Sequence, residues 1–175
     1  MAENTSVEKT VSRLPDPDKN GLLSNIDKEV VDSVTTDLLR GEEQSIRAVI
    51  DMLVEPGRGD DVKPHYALHC CALRVCALGG AARERFSRTL ASYLGGDKPK
   101  GVQKYLIQEL QTAGGPEVVP QLGQMLLDDD CYEEAAMALT AIKHGAAEQF
   151  NKALPKVKGK ARQTVAQNLE LARSR

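Results

Sequence analysis

His65 and His69 stand four residues apart, a spacing that brings two imidazoles to one face of a helix and could hold one metal ion between them. Asp60 and Asp61 precede them in a glycine-rich loop and could add oxygen ligands. Zinc proteases built on such a pair need a glutamate directly after the first histidine as general base, and here that position is Tyr66. The plainer reading is a buried, hydrogen-bonded His69 and an exposed His65 near a helix start. On that reading no metal and no cofactor is expected.

Cys70 and Cys71 follow His69 directly, which raises a thiolate activated by an imidazole. The sequence locates no third group to orient such a pair, and cysteine is commonly buried in Ala- and Leu-rich helices. The phosphate-loop, dinucleotide and nucleophile-elbow patterns GxxxxGK[ST], GxGxxG and GxSxG are absent. The Gly-Gly pairs fall at helix ends and lack the flanking strand that a phosphate loop requires. No catalytic residue is assigned, and the chain is not read as an enzyme. From Asn151 onward, Lys152, Lys156, Lys158, Lys160, Arg162, Arg173 and Arg175 stand against Glu170 alone. Such a basic end could track phosphates, but no aromatics interleave for base stacking. It is read as the solvated face of a capping helix, so nucleic acid is not the expected partner.

The elements that must position these residues are helices. Apolar residues make up 41% of 175, yet the aromatics are only Phe 2 and Tyr 4 with no Trp, so the core is built from Leu, Ala, Val and Ile. Such side chains suit close helix packing. The net charge of -2 argues for an ordinary solvated surface and against a nucleic-acid or membrane specialist. No apolar window approaches the length of a membrane span. Cys70, Cys71, Cys76 and Cys131 form no CxxC pair, and neighbours on one helix cannot make a normal disulfide. All four are expected to be reduced, mostly buried thiols. With no basic-then-apolar leader in MAENTSVEKTVSRLPDPDKNG, a cytoplasmic location is expected.

Residues 1–23, with Pro15, Asp16, Pro17, Asp18, Asn20 and Gly21, are read as a flexible N-terminal arm, and 24–175 as a single domain. Helical spacing begins with Val30, Val34 and Leu38 and never gives way to alternation. Pro64, Pro99 and Pro116 sit where new apolar runs open, and Gly79–Gly80, Gly95–Gly96 and Gly114–Gly115 fall just past run ends. The spacing predicts helices over 25–39, 42–54, 64–78, 80–94, 99–113, 117–127, 131–143, 145–154 and 159–173, the sixth with an irregular or late start because of Pro120. The first helices of successive pairs then begin near 25, 64, 99, 131 and 159, within the range of two-helix solenoid units, ~34–47 residues.

The stretch EVVPQLGQMLLDDDCYEEAAMALTAIKHGAAEQF resembles a HEAT-repeat boundary, of the armadillo-like α-solenoid class. Val119, Pro120 and Leu122 match the opening of one helix, Leu126, Leu127 and Asp129 the acidic turn, and Ala135, Ala136, Ala138 and Leu139 the next helix. Cys131–Tyr132 stands where that family has Val-Arg, so the family's arginine is missing. The good match covers about a fifth of the chain; other units, such as LHCCALRVCALGG, are similar more loosely. The resemblance implies an all-α fold, a right-handed α-solenoid of about four HEAT-like helix pairs plus a C-terminal capping helix.

It also implies a function: a scaffold or adaptor that binds another protein along a concave face made by the second helix of each pair. On 42–54, the stripe Ile46, Val49, Ile50 and Leu53 leaves Arg47 and Asp51 outward. On 80–94, Ala82, Phe86, Leu90 and Leu94 leave Glu84 and Arg88. On 117–127, Val119, Leu122 and Leu126 leave Gln121 and Gln124, and Asn151 continues the line on 145–154. The alternative is a helical enzyme or ligand chaperone of HEAT-like fold, similar to bilin lyases or DNA glycosylases, whose pockets need aromatic walls and acidic groups. The scarcity of aromatics weighs most against the glycosylase version.

Overall fold

The computed structural model describes residues 2–20, 23–24 and 26–174, with side chains from residue 6 onward. Gly21, Arg175 and position 25, where the first predicted helix opens, lie outside the described residues. Among those described, ten α-helices and one 3₁₀ turn form and no strand does. The chain divides into two compact units, residues 1–89 and 90–175, where the sequence suggests an arm and one domain.

In the first unit, α1 (Ala2–Ser12), α2 (Lys28–Arg40), α3 (Glu42–Asp51) and α4 (Val62–Leu78) pack on one another. α5 (Gly80–Ala91) follows, its last two residues belonging to the second unit. Asp27 caps α2 by accepting from the backbone N–H groups of Glu29 and Val30, which satisfies two donors that the first turn leaves open. Val34 and Leu38 on α2, and Ile46, Val49, Ile50 and Leu53 on and just after α3, are buried on the stripes that the spacing predicts. Gly79 and Gly80 take φ of 64° and 53° in succession, so the chain turns from α4 into α5 through backbone that disfavours any larger residue.

The arm reading is corrected at its start. Residues 2–12 are helical, and Val7, Val11 and Leu14 are buried. These three follow an i, i+4, i+7 pattern, a narrow stripe that the polar residues around it conceal in the sequence.

The second unit holds α6 (Lys100–Ala113), a 3₁₀ turn (Pro116–Val118), α7 (Val119–Met125), α8 (Tyr132–Ile142), α9 (Ala146–Ala153) and α10 (Gly159–Arg173). Pro120 delays the sixth predicted helix as expected: the 3₁₀ turn occupies its start and the α-helix opens at Val119. Cys131, Ala135, Ala136, Ala138 and Leu139 are all fully buried along α8, which packs against α6, α7, α9 and α10. Small alanines let those neighbours approach closely, and Leu139 fills the space between them.

Side-chain pairs set the direction of this packing. Lys100 meets Asp128 and Lys104 meets Glu134, so α6 and α8 run parallel. Lys160 meets Glu133 and Thr140 donates to Asn168, so α8 and α10 run parallel as well. Gly145 adjoins Val119 and Gly123 adjoins Gln149, which aligns α9 with α7 in the same way. The second unit is therefore two layers of parallel helices, α6–α8–α10 and α7–α9.

Candidate functional site

Helix period places His65 and His69 near one another, but packing separates their roles. His65 is half-buried, its Nδ1 lying 3.0 Å from the Asp61 backbone oxygen and 3.2 Å from Asp61 Oδ2. Asp61 Oδ2 also accepts from the Val54 N–H at 3.0 Å, so this carboxylate ties the loop before α4 to the end of α3. His69 is exposed. The expected burial of His69 is thus not found, and His65 is half-buried rather than exposed. The α4 stripe of Leu68, Cys71, Ala72 and Val75 faces the core, and His69 lies on the opposite side. Among the described residues no group of three or more His, Cys, Asp or Glu side chains is placed to hold a metal.

The cysteines divide in the same way. Cys71 and Cys131 are buried, Cys70 is half-buried and Cys76 is exposed, so the expectation of mostly buried thiols holds for two and fails at Cys76. Burial, and then the neighbouring Cys70, push the Cys71 thiol well above its ordinary value. Burial, and then the Asp128 carboxylate, push Cys131 up to about 11. Both changes suppress the thiolate that nucleophilic chemistry needs. Tyr66 is raised by burial and by its hydrogen bond to Cys70. With His69 exposed and Cys71 in the core, these two side chains lie on different faces of α4.

The residues expected to bind a partner occupy distinct settings. On α3, Arg47 is half-buried and donates to Glu43 Oε1 through Nε at 2.8 Å, one turn back. Arg47 and the exposed Asp51 both line a hollow of about 390 Å³ that α3 shares with α1. Assigning residues 2–12 to an arm concealed this neighbour. On α5, Arg88 pairs with Glu84 at 2.8 Å. On α7, Gln121 and Gln124 are exposed. On α9, Asn151 is exposed, donates to the Ala147 carbonyl and accepts from Arg173 of α10 at 3.1 Å. Of the basic residues near the C-terminus, Lys152, Lys160 and Arg173 pair with Glu148, Glu133 and Glu170.

The structure adds a groove that no motif announced. In the first unit Leu39, Ile46, Val75, Leu78, Ala82 and Phe86 line an open apolar groove of about 140 Å³. Glu42, Glu43 and Arg85 edge it, and Leu78 is 60% exposed at its wall. Its volume is on the scale of one large apolar side chain. The one legible signal was Leu78 itself, an apolar residue placed directly before Gly79 at a helix end.

Fold and surface together define an all-helical protein of packed helix pairs, with polar helix faces beside an apolar groove. No protein-family model matches the chain, and no curated protein matches it either. No helix among the described residues is long and apolar enough to cross a membrane.

Proposed function

We propose that this chain is an interaction scaffold that binds a protein partner in the cytoplasm, and that its helix pairs form a short right-handed solenoid of HEAT-like units. The parallel layers of the second unit support the architecture, because a solenoid repeats each helix beside its equivalent in the neighbouring pair. The observation that carries the function is the groove edged by Glu42, Glu43 and Arg85. An apolar floor inside a charged border is the pattern in which a partner's buried anchor side chain meets a polar rim. Glu43 is already tied to Arg47, and the Glu84–Arg88 pair lies on the α5 that supplies Phe86. Arg47, which is tied to Glu43, and the α5 pair Glu84 and Arg88 are the polar groups proposed beside this groove, and Asp51, Gln121, Gln124 and Asn151 are proposed as further contact residues.

The test is affinity capture from native lysate with wild-type protein and with Leu78→Glu. Leu78 is exposed, so the substitution leaves the core intact while placing a charge at the groove wall. A protein recovered near stoichiometry with wild type, and lost with Leu78→Glu, supports the reading. Equal recovery by both proteins excludes the groove as the contact surface.

A further inference from the structure

Two cations near the C-terminus stand apart from the rest. Lys152, Lys160 and Arg173 are neutralised inside the second unit by Glu148, Glu133 and Glu170. Lys156 and Lys158 are exposed, and among the described residues their ammonium groups meet no carboxylate. The turn that carries them, between α9 and α10, is fixed on both sides. The N–H groups of Lys156 and Val157 donate to the Ala153 carbonyl at 2.8 and 3.2 Å, and Arg162 Nη1 reaches back from α10 to the Leu154 carbonyl at 2.7 Å. Val157, between the two lysines, is 8% exposed and pins the centre of the turn while both neighbours project into water. Charges held on an ordered backbone lose less freedom on binding than charges on a mobile loop.

These lysines border a hollow of about 240 Å³ that Leu127, Val157 and Ala161 line with apolar surface. Leu127 is 41% exposed, an apolar side chain left to water beside two unneutralised cations. The exposed Asp129 edges the same hollow from the turn between α7 and α8, so the border carries both signs. That pattern discriminates among anionic partners. A bilayer or a nucleic-acid strand presents continuous negative charge, which Asp129 repels. No aromatic side chain lines the hollow for a base to stack on. A peptide, by contrast, can set a carboxylate against the lysines, an apolar side chain over Leu127 and an uncharged residue against Asp129.

We infer that the α7–α8 and α9–α10 turns form a docking site for a short acidic segment of a partner protein. Lys156 and Lys158 take the carboxylates of that segment, and Leu127 takes an apolar side chain next to them. Asp129 sets the register by excluding an acidic residue from its own side of the hollow. The inference rests on the scaffold reading for the class of partner, but it uses a surface separate from the groove beside Leu78.

The probe is a fluorescein-labelled peptide of glutamates around a single leucine, titrated by anisotropy into the full-length chain. The peptide binds wild type, and Lys156→Glu/Lys158→Glu weakens it at least about tenfold. Both side chains are exposed, so the melting temperature of this variant stays near that of wild type. Exchanging the peptide's leucine for serine weakens binding as well. Lys143→Glu, exposed at the opposite end of α8, leaves binding unchanged. Absence of binding to wild type overturns the inference, as does binding that is indifferent to Lys156→Glu/Lys158→Glu or equally weakened by Lys143→Glu. Tighter binding of phosphatidylserine vesicles or of a single-stranded oligonucleotide than of the peptide also overturns it, because the site then takes a uniform anion. Equal lysate capture by wild type and Leu78→Glu removes the groove and does not touch peptide binding, so the two failures are distinguishable.

Discussion

The Lys100 ammonium at the first residue of α6 lies 2.5 Å from the Asp128 carboxylate in the turn before α8. Burial alone would raise the Asp128 carboxyl, but hydrogen bonds from Lys100 and from the Asp130 and Cys131 N–H groups outweigh it and hold the group below its ordinary value. Lys100 is raised in turn, chiefly by its hydrogen bond to Asp128. A lysine from the neighbouring helix thus supplies the cation at this turn.

Two substitutions separate the parts of that relationship. Asp128→Asn keeps an acceptor for the turn N–H groups and removes the charge, so it costs about 0.2–1 kcal/mol, as for a partly exposed pair. Asp128→Ala also strands the turn donors and costs roughly 1 kcal/mol more. Because the folded carboxyl is depressed, its contribution is present above the ordinary value of 3.8 and is lost as pH falls through the folded value. The raised Lys100 contributes fully below 10.5 and loses its contribution as pH rises through its own folded value. Chemical melts of wild type and Asp128→Asn should differ at pH 7 and converge in acid.

Leu139 is fully buried where α8 meets its neighbours. Leu139→Ala should cost about 2–5 kcal/mol through lost transfer free energy and a residual cavity. Urea melts should show a lower midpoint with a similar slope, and a loss under about half a kcal/mol would contradict the packing of α8.

Thiol chemistry should follow burial. A disulfide reagent at pH 8 should label Cys76 first and Cys70 more slowly, with Cys71 and Cys131 reacting only on unfolding. Mass mapping of the labelled peptides reads the order directly. Early labelling of Cys131 would mean that the start of α8 opens in the native state.

Arg47 and Arg88 differ in setting, so their substitutions should differ in outcome. Arg88 is exposed and its partner Glu84 is on the same helix, so Arg88→Glu should weaken partner capture and leave stability within about half a kcal/mol. Arg47 is half-buried beside α1, so Arg47→Glu should lower the melting temperature as well, through repulsion from Glu43 and lost stem packing. Gln108→Glu, on the exposed surface of α6, is the control and should change neither quantity. Capture unaffected by Arg88→Glu and abolished by Gln108→Glu would invert the assignment of helix faces.

What the residues decided on their own is the order and limits of nine helices. Backbone sterics act locally: proline is tolerated in the first turn of a helix, as at Pro64, and paired glycines such as Gly79 and Gly80 end one through positive φ. The stripe Ile46, Val49, Ile50 and Leu53 likewise follows from helical period alone. Period shows which residues share a face, but not which face finds a neighbour. That is why His69 is exposed where burial was expected, and why Leu78 emerged at a groove wall. The α1 helix was concealed because Val7, Val11 and Leu14 are too few to announce themselves until α3 and α4 cover them. Burial is conferred by residues distant in sequence, so seats, grooves and ion pairs between helices exist only once the chain has folded.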